Sequence, residues 1–103
     1  MLAAPTLVHA AGEPDVAKLL AAGGCVIAFR HAQAPGTFDP PEFRVDDCRT
    51  RRNLSDEGRA QARRIGEWFR ARRLTPARVR SSPWCRCVDT AELAFGGAER
   101  WDL

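Results

Sequence analysis

The run Cys25-Val26-Ile27-Ala28-Phe29, followed at once by Arg30-His31, constrains this chain more than any other stretch. Val, Ile and Phe favour the pleated, buried surface of a sheet, so the run predicts a short β-strand. Open α/β sheets carry their chemistry at the carboxyl edge of the strands. The strand therefore delivers Arg30 and His31 to that edge, with His31 where a nucleophile belongs. An Arg-His pair alone is a weak signal in an arginine-rich chain, and its weight depends on what surrounds it.

The surroundings read as helices, a long loop and a second strand. Pro14-Asp15 opens a short helix over Asp15–Ala22, with Val16, Leu19 and Leu20 apolar and Gly23-Gly24 as its stop. After His31 comes Ala32-Gln33-Ala34-Pro35-Gly36-Thr37-Phe38-Asp39-Pro40-Pro41, and the chain stays polar to Asn53. Loops of that length in compact domains serve as lids or binding loops. Ser55 is an N-cap, Asp56 and Glu57 put negative charge on the first helical turn, and Arg70, Arg72 and Arg73 put positive charge on the last. Ala62, Ile65 and Phe69 share one face of this helix, Gly58 and Gly66 permit close approach to a sheet, and Arg59, Arg63, Arg70 and Arg73 form the solvated face.

A second strand follows at Ala77–Arg80 around Val79, and strand, helix, strand predicts a parallel pair with the helix on one face. Ser82 then caps and Pro83 begins a helix running from Trp84 to Phe95, closed by Gly96-Gly97. Its expected buried stripe is Trp84, Cys87, Val88, Ala91, Ala94 and Phe95. Arg86 lies off that stripe in the first turn, where free N–H groups and the helix dipole favour an anion.

Composition narrows the function classes. A chain of 103 residues, 45% hydrophobic and 28% charged, is a single small globular domain rather than a disordered one. The net charge of +3 raises a nucleic-acid partner, but the 16 basic residues are interleaved with 13 acids, so no nucleic acid is expected. Lys18 is the only lysine, and arginine forks suit phosphate, although a coding preference for arginine produces the same pattern. Within residues 1–14, Met1 to Ala11 finish in the small-residue site Val8-His9-Ala10-Ala11, and the segment resembles the tail of an export signal. They lack a basic start and are broken by Pro5, so a truncated signal and a flexible leader both remain open. Export predicts a periplasmic or secreted protein, and with no apolar run of about 18 residues no membrane span is expected. Cys25, Cys48, Cys85 and Cys87 lack metal-ligand spacing, which argues against a zinc site. In an exported protein a pair of them is oxidised; Cys48 with Cys85 is expected, because Cys25 and Cys87 fall on apolar faces.

Three stretches, taken in order, resemble the signatures of the histidine phosphatase superfamily with its phosphoglycerate-mutase-like fold. They are Phe29-Arg30-His31-Ala32, Asn53-Leu54-Ser55-Asp56-Glu57-Gly58 with Gln61-Ala62, and Ser81-Ser82-Pro83-Trp84-Cys85-Arg86-Cys87-Val88-Asp89-Thr90-Ala91. The resemblance implies an α/β fold over residues 15–103, the amino-terminal part of a three-layer domain with a parallel sheet and flanking helices, similar to exported bacterial members. It implies that His31 takes the phosphoryl group of a phosphomonoester or phosphoanhydride while Arg30 and Arg86 hold the phosphate. Ala32 stands where many members have glycine, a replacement frequent in exported members. Two guanidinium forks supply the positive charge that phosphoryl transfer needs, so neither a metal nor another cofactor is called for. The family completes its site with a carboxylic acid and a second histidine reached later in the chain. Here the other histidine is His9, in the leader, and Glu92, Glu99 and Asp102 lie in no recognisable later motif. Impaired turnover is therefore expected of the chain as given. Two other classes remain: an inactive anion-binding module that keeps the arginine clamp, and a basic nucleic-acid-binding domain with steeply salt-dependent binding.

Overall fold

The computed structural model describes residues 13–44 and 46–101. Helix α1 spans Glu13–Ala22, starting earlier than Pro14-Asp15 indicates. The expected leader over residues 1–14 lies, apart from its last two residues, outside the described residues. No helix among the described residues is long and apolar enough to cross a membrane.

The apolar run after α1 departs from expectation. Residues 25–30 form no strand, and Val26 is 94% exposed. A strand exists only through pairing with a neighbour, and among the described residues no strand pairs with this segment. Its anchorage comes instead from Phe29, whose ring lies 6.4 Å from that of Phe95.

The parallel pair forms elsewhere. Strand β1, Arg80–Ser81, precedes helix α3, Cys85–Phe95, and strand β2, Glu99–Arg100, returns alongside it with Arg80 opposite Glu99 and Ser81 opposite Arg100. Partners close in sequence win here because little chain has to be closed to bring them together. Gly96 at φ +86° and Gly97 at φ +146° turn the chain back in conformations that side chains resist. Glu99 N–H then reaches the Val79 carbonyl at 2.8 Å and Trp101 N–H the Ser81 carbonyl at 2.7 Å. The Glu99 carboxylate adds an exposed ion pair with Arg78 at 2.9 Å.

Helix α2, Asp56–Ala71, begins as the sequence indicates, with Ser55 Oγ accepting the Gly58 N–H at 2.9 Å. Gly58, Ala62, Gly66 and Phe69 are its buried face. The two glycines do permit close approach, but not to a sheet. A Cβ on Gly66 would strike the Ala94 carbonyl of α3, and one on Gly58 would strike the Gln33 carbonyl just beyond His31. The core is therefore the seam between α2 and α3, filled by Ala62, Phe69, Ala91 and Ala94, with Phe69 edge-on to Phe95 at 5.1 Å.

In α3 the N-cap is Trp84, which makes no side-chain capping bond, so Ser82 does not cap. The buried stripe is Cys85, Thr90, Ala91 and Ala94, turned from the expected one, with Trp84, Cys87, Val88 and Phe95 half-buried. Two tethers account for the rotation. Thr90 bonds the segment after His31, and Cys85 forms a disulfide with Cys48, with Cα atoms 5.8 Å apart. That is the expected pairing. Cross-linking residues 37 apart removes about 4 kcal/mol of loop-closure entropy from the unfolded chain.

The disulfide pins the long loop, whose far end is organised by Asp47. This carboxylate accepts the Arg49 N–H at 3.1 Å, capping a 3₁₀ turn over Cys48–Thr50, and pairs with Arg49 Nη2 at 3.1 Å and Arg44 Nη2 at 2.8 Å. The Arg49 side chain and backbone N–H hold the Asp47 carboxyl down at about 2. Because this value lies below the ordinary 3.8, the stabilisation is complete above 3.8 and vanishes as pH falls through about 2. Amide NMR of Arg49 across that window should show the turn opening only at its acid end. In the seam, Gly66→Ala should cost about 1–3 kcal/mol by overpacking against backbone, read as a lower urea midpoint with an unchanged slope.

Candidate active site

The backbone directly after His31 is held from two sides. From α3, Thr90 Oγ1 accepts the Ala32 N–H at 3.0 Å while donating its own proton to the Arg86 carbonyl at 2.7 Å. From α2, Gln61 Oε1 accepts the Gln33 N–H at 2.9 Å, and the Ser55 N–H donates to the Gln33 carbonyl at 3.1 Å. Ala32 is consequently buried, 4% exposed, and only a small side chain suits that place. His31 therefore projects from a loop that both helices fix.

Its imidazole is oriented as well. Nδ1 lies 2.7 Å from the Ala32 carbonyl, and a carbonyl only accepts, so Nδ1 carries the proton. In the neutral ring Nε2 then holds the lone pair. Arg52 Nη2 faces it at 3.4 Å, and Arg52 Nη1 donates to the carbonyls of Ala34, at 3.3 Å, and Gly36. The result is an open cleft of about 260 Å³ lined by Arg30, His31, Ala32, Gln33, Ala34, Gly36 and Arg52. Small-molecule pockets run to roughly 300–1,000 Å³, so this one suits a phosphoryl-sized group with part of what it is attached to.

Behind the cleft, Asp39 joins the loop to α3. Its carboxylate accepts the Arg52 N–H at 2.8 Å and pairs with Arg86 Nη1 at 3.1 Å, and that same Nη1 reaches the Arg52 carbonyl at 3.3 Å. The Arg52 N–H holds the Asp39 carboxyl below the usual carboxylate range against the next largest effect, burial, and the Arg86 charge adds a smaller lowering. Two guanidinium groups lie over the Trp84 ring, with Arg51 4.2 Å and Arg86 4.6 Å from its centroid. Arg51 is 5% exposed, and burial together with the Arg86 charge lowers its pKa.

A family model for the histidine phosphatase superfamily (branch 1) matches residues 26–100, well over half of the chain. The chain belongs to the histidine phosphatase superfamily. No curated protein and no solved structure matches it. Among the described residues, three helices and a small parallel sheet make up a partial α/β, phosphoglycerate-mutase-like fold, in keeping with an amino-terminal half of the histidine phosphatase domain.

In this histidine phosphatase chain the structure brings Arg30 and His31 together in the cleft. Arg86 does not line it; its Nη1 is engaged by Asp39 behind the Arg52 backbone. Arg52 and Asp39 were not distinguishable in the sequence as site residues. They lie in an aperiodic loop, and the only pointer was the position of Arg52 directly before Asn53-Leu54-Ser55. Among the described residues no group of three or more His, Cys, Asp or Glu is placed to hold a metal ion. Thr90→Val should leave the Ala32 N–H without its acceptor and cost about 1–3 kcal/mol. Thr90→Ser should recover most of that, as measured by denaturant melts.

Proposed function

We propose that the chain carries a phosphatase-type site in which His31 takes a phosphoryl group from a phosphomonoester or phosphoanhydride and passes it to water. The observation that carries this reading is the 2.7 Å bond from Nδ1 to the Ala32 carbonyl, which presents the Nε2 lone pair in an arginine-lined cleft. The lone pair forms the N–P bond as the P–O bond to the leaving group breaks, and the bonding pair departs on that oxygen. Water then attacks phosphorus, the N–P bond breaks, its pair returns to Nε2, and the proton lost by water goes to solvent. Arg30 lies beside the path of the phosphoryl oxygens. Arg86 stands behind the cleft, its Nη1 on Asp39 and its Nε buried without an acceptor, and joins the phosphate only by turning from that pair.

The leaving oxygen needs a proton, and Asp39 is a poor source because its neighbours keep it ionised. Among the described residues no carboxylate lines the cleft. Turnover by the chain as given should therefore depend steeply on the leaving group. A nitrophenolate leaves unprotonated, whereas an alkoxide forfeits the roughly hundred- to ten-thousandfold that a positioned acid supplies. Hydrolysis of p-nitrophenyl phosphate compared with an alkyl phosphate measures this difference. The Cys48–Cys85 disulfide supports placing the protein in an exported, oxidising compartment.

The decisive experiment is to trap the intermediate. Incubation with a labelled phosphodonor should leave an acid-labile, base-stable phosphate on the protein, and His31→Ala should abolish it. Arg86→Ala should slow labelling on the order of a hundredfold. Phosphate binding without any label would instead identify an inactive anion-binding module.

A further inference from the structure

We propose that Arg52 is a further phosphate-binding residue of this site, a guanidinium that hydrogen-bonds the phosphoryl oxygens as the group transfers to His31; this rests on the phosphohistidine reading above. The side chain divides its donors between two tasks. Nη1 serves the loop, on the carbonyls of Ala34 and Gly36. Nε and Nη2 form a different edge of the guanidinium, and that edge is not committed to the fold. Nη2 faces the nucleophilic nitrogen at 3.4 Å, and Nε is buried with no acceptor.

A buried donor without a partner is costly, and an edge of two parallel N–H groups matches two oxygens of one phosphate. A phosphoryl oxygen, one phosphorus atom beyond Nε2, comes within hydrogen-bond reach of a group 3.4 Å from that nitrogen. Without ligand, Nη2 makes only a long bond to the lone pair. With a phosphoryl group on Nε2, the same donor meets an anionic acceptor, so the interaction strengthens as the N–P bond forms. The backbone of Arg52 supports this placement, since its N–H is held by Asp39 and its carbonyl by Arg86. Arginine geometry matters here as much as charge, because lysine can serve the loop or the phosphate but not both.

The wild-type chain gives the first test. On titration with inorganic phosphate, the guanidinium resonances of Arg52, Nε–H included, should shift in nitrogen-15 NMR together with the His31 ring. Shifts at His31 and Arg30 with Arg52 unmoved would overturn the proposal. The second test compares labelling of His31 by a phosphodonor in Arg52→Gln and Arg52→Lys. Labelling should fall on the order of a hundredfold in Arg52→Gln, with partial recovery in Arg52→Lys. Near-UV circular dichroism and the intact Cys48–Cys85 bond report whether each variant keeps its loop. A folded Arg52→Gln variant that labels at the wild-type rate refutes the assignment. If the wild-type chain takes no label, the phosphohistidine reading fails, and the NMR titration still decides whether Arg52 binds phosphate.

Discussion

Two backbone N–H groups, those of Ala32 and Gln33, decide how the rest of this structure is arranged. They follow His31 directly, and the first belongs to a residue that is almost wholly buried. A buried N–H must find an acceptor, and neither group takes one from a sheet. Thr90 comes from α3, 58 residues away in sequence, and Gln61 from α2, 28 residues away. To put both acceptors in place, α2 has to lie against the loop at Gly58 and against α3 at Gly66, where a Cβ would collide with backbone. The helix seam and the orientation of His31 are thus one constraint, and packing changes in the seam reach the imidazole through two hydrogen bonds.

The electrostatics obey a similar economy of groups. Arg52 and Arg86 converge on one carboxylate, that of Asp39, with Arg51 stacked on the same Trp84 ring as Arg86. Like charges gathered around one carboxylate repel one another. Asp39 offsets part of that, at the price of engaging Arg86 Nη1. In both Arg52 and Arg86, Nη1 is given to the fold while Nε is left buried without an acceptor. A cluster built this way is held together by the loop and remains short of negative charge, which is the condition for attracting a phosphoryl group.

Much of the helical fold could be read directly from residue types. Ser55, the first-turn acids and the 3.6-residue spacing of Ala62 and Phe69 specify α2, because capping and amphipathicity are local properties of the chain. Gly96-Gly97 specify the end of α3 for the same reason. Arg30-His31 and the two later motifs carry the family. The Cys48–Cys85 pairing is the expected one, although its premise fails, since Cys85 lies on the buried face of α3 while Cys25 is exposed.

Tertiary structure decided what depends on a partner elsewhere. The run at residues 25–29 has every local feature of a strand, yet a strand is a relation between two segments, and among the described residues nothing pairs with it. Ser82 had the residue type of a cap but not its place in the helix. Arg86 was legible as an arginine near a helix start, while its engagement by Asp39, from a loop 47 residues away, was not. Arg52 came to line the cleft only when the loop folded back and brought its Nη2 to His31. Residue type and spacing set which chemistry was available, and the long-range contacts, which leave no periodic trace in a sequence, chose the atoms that meet.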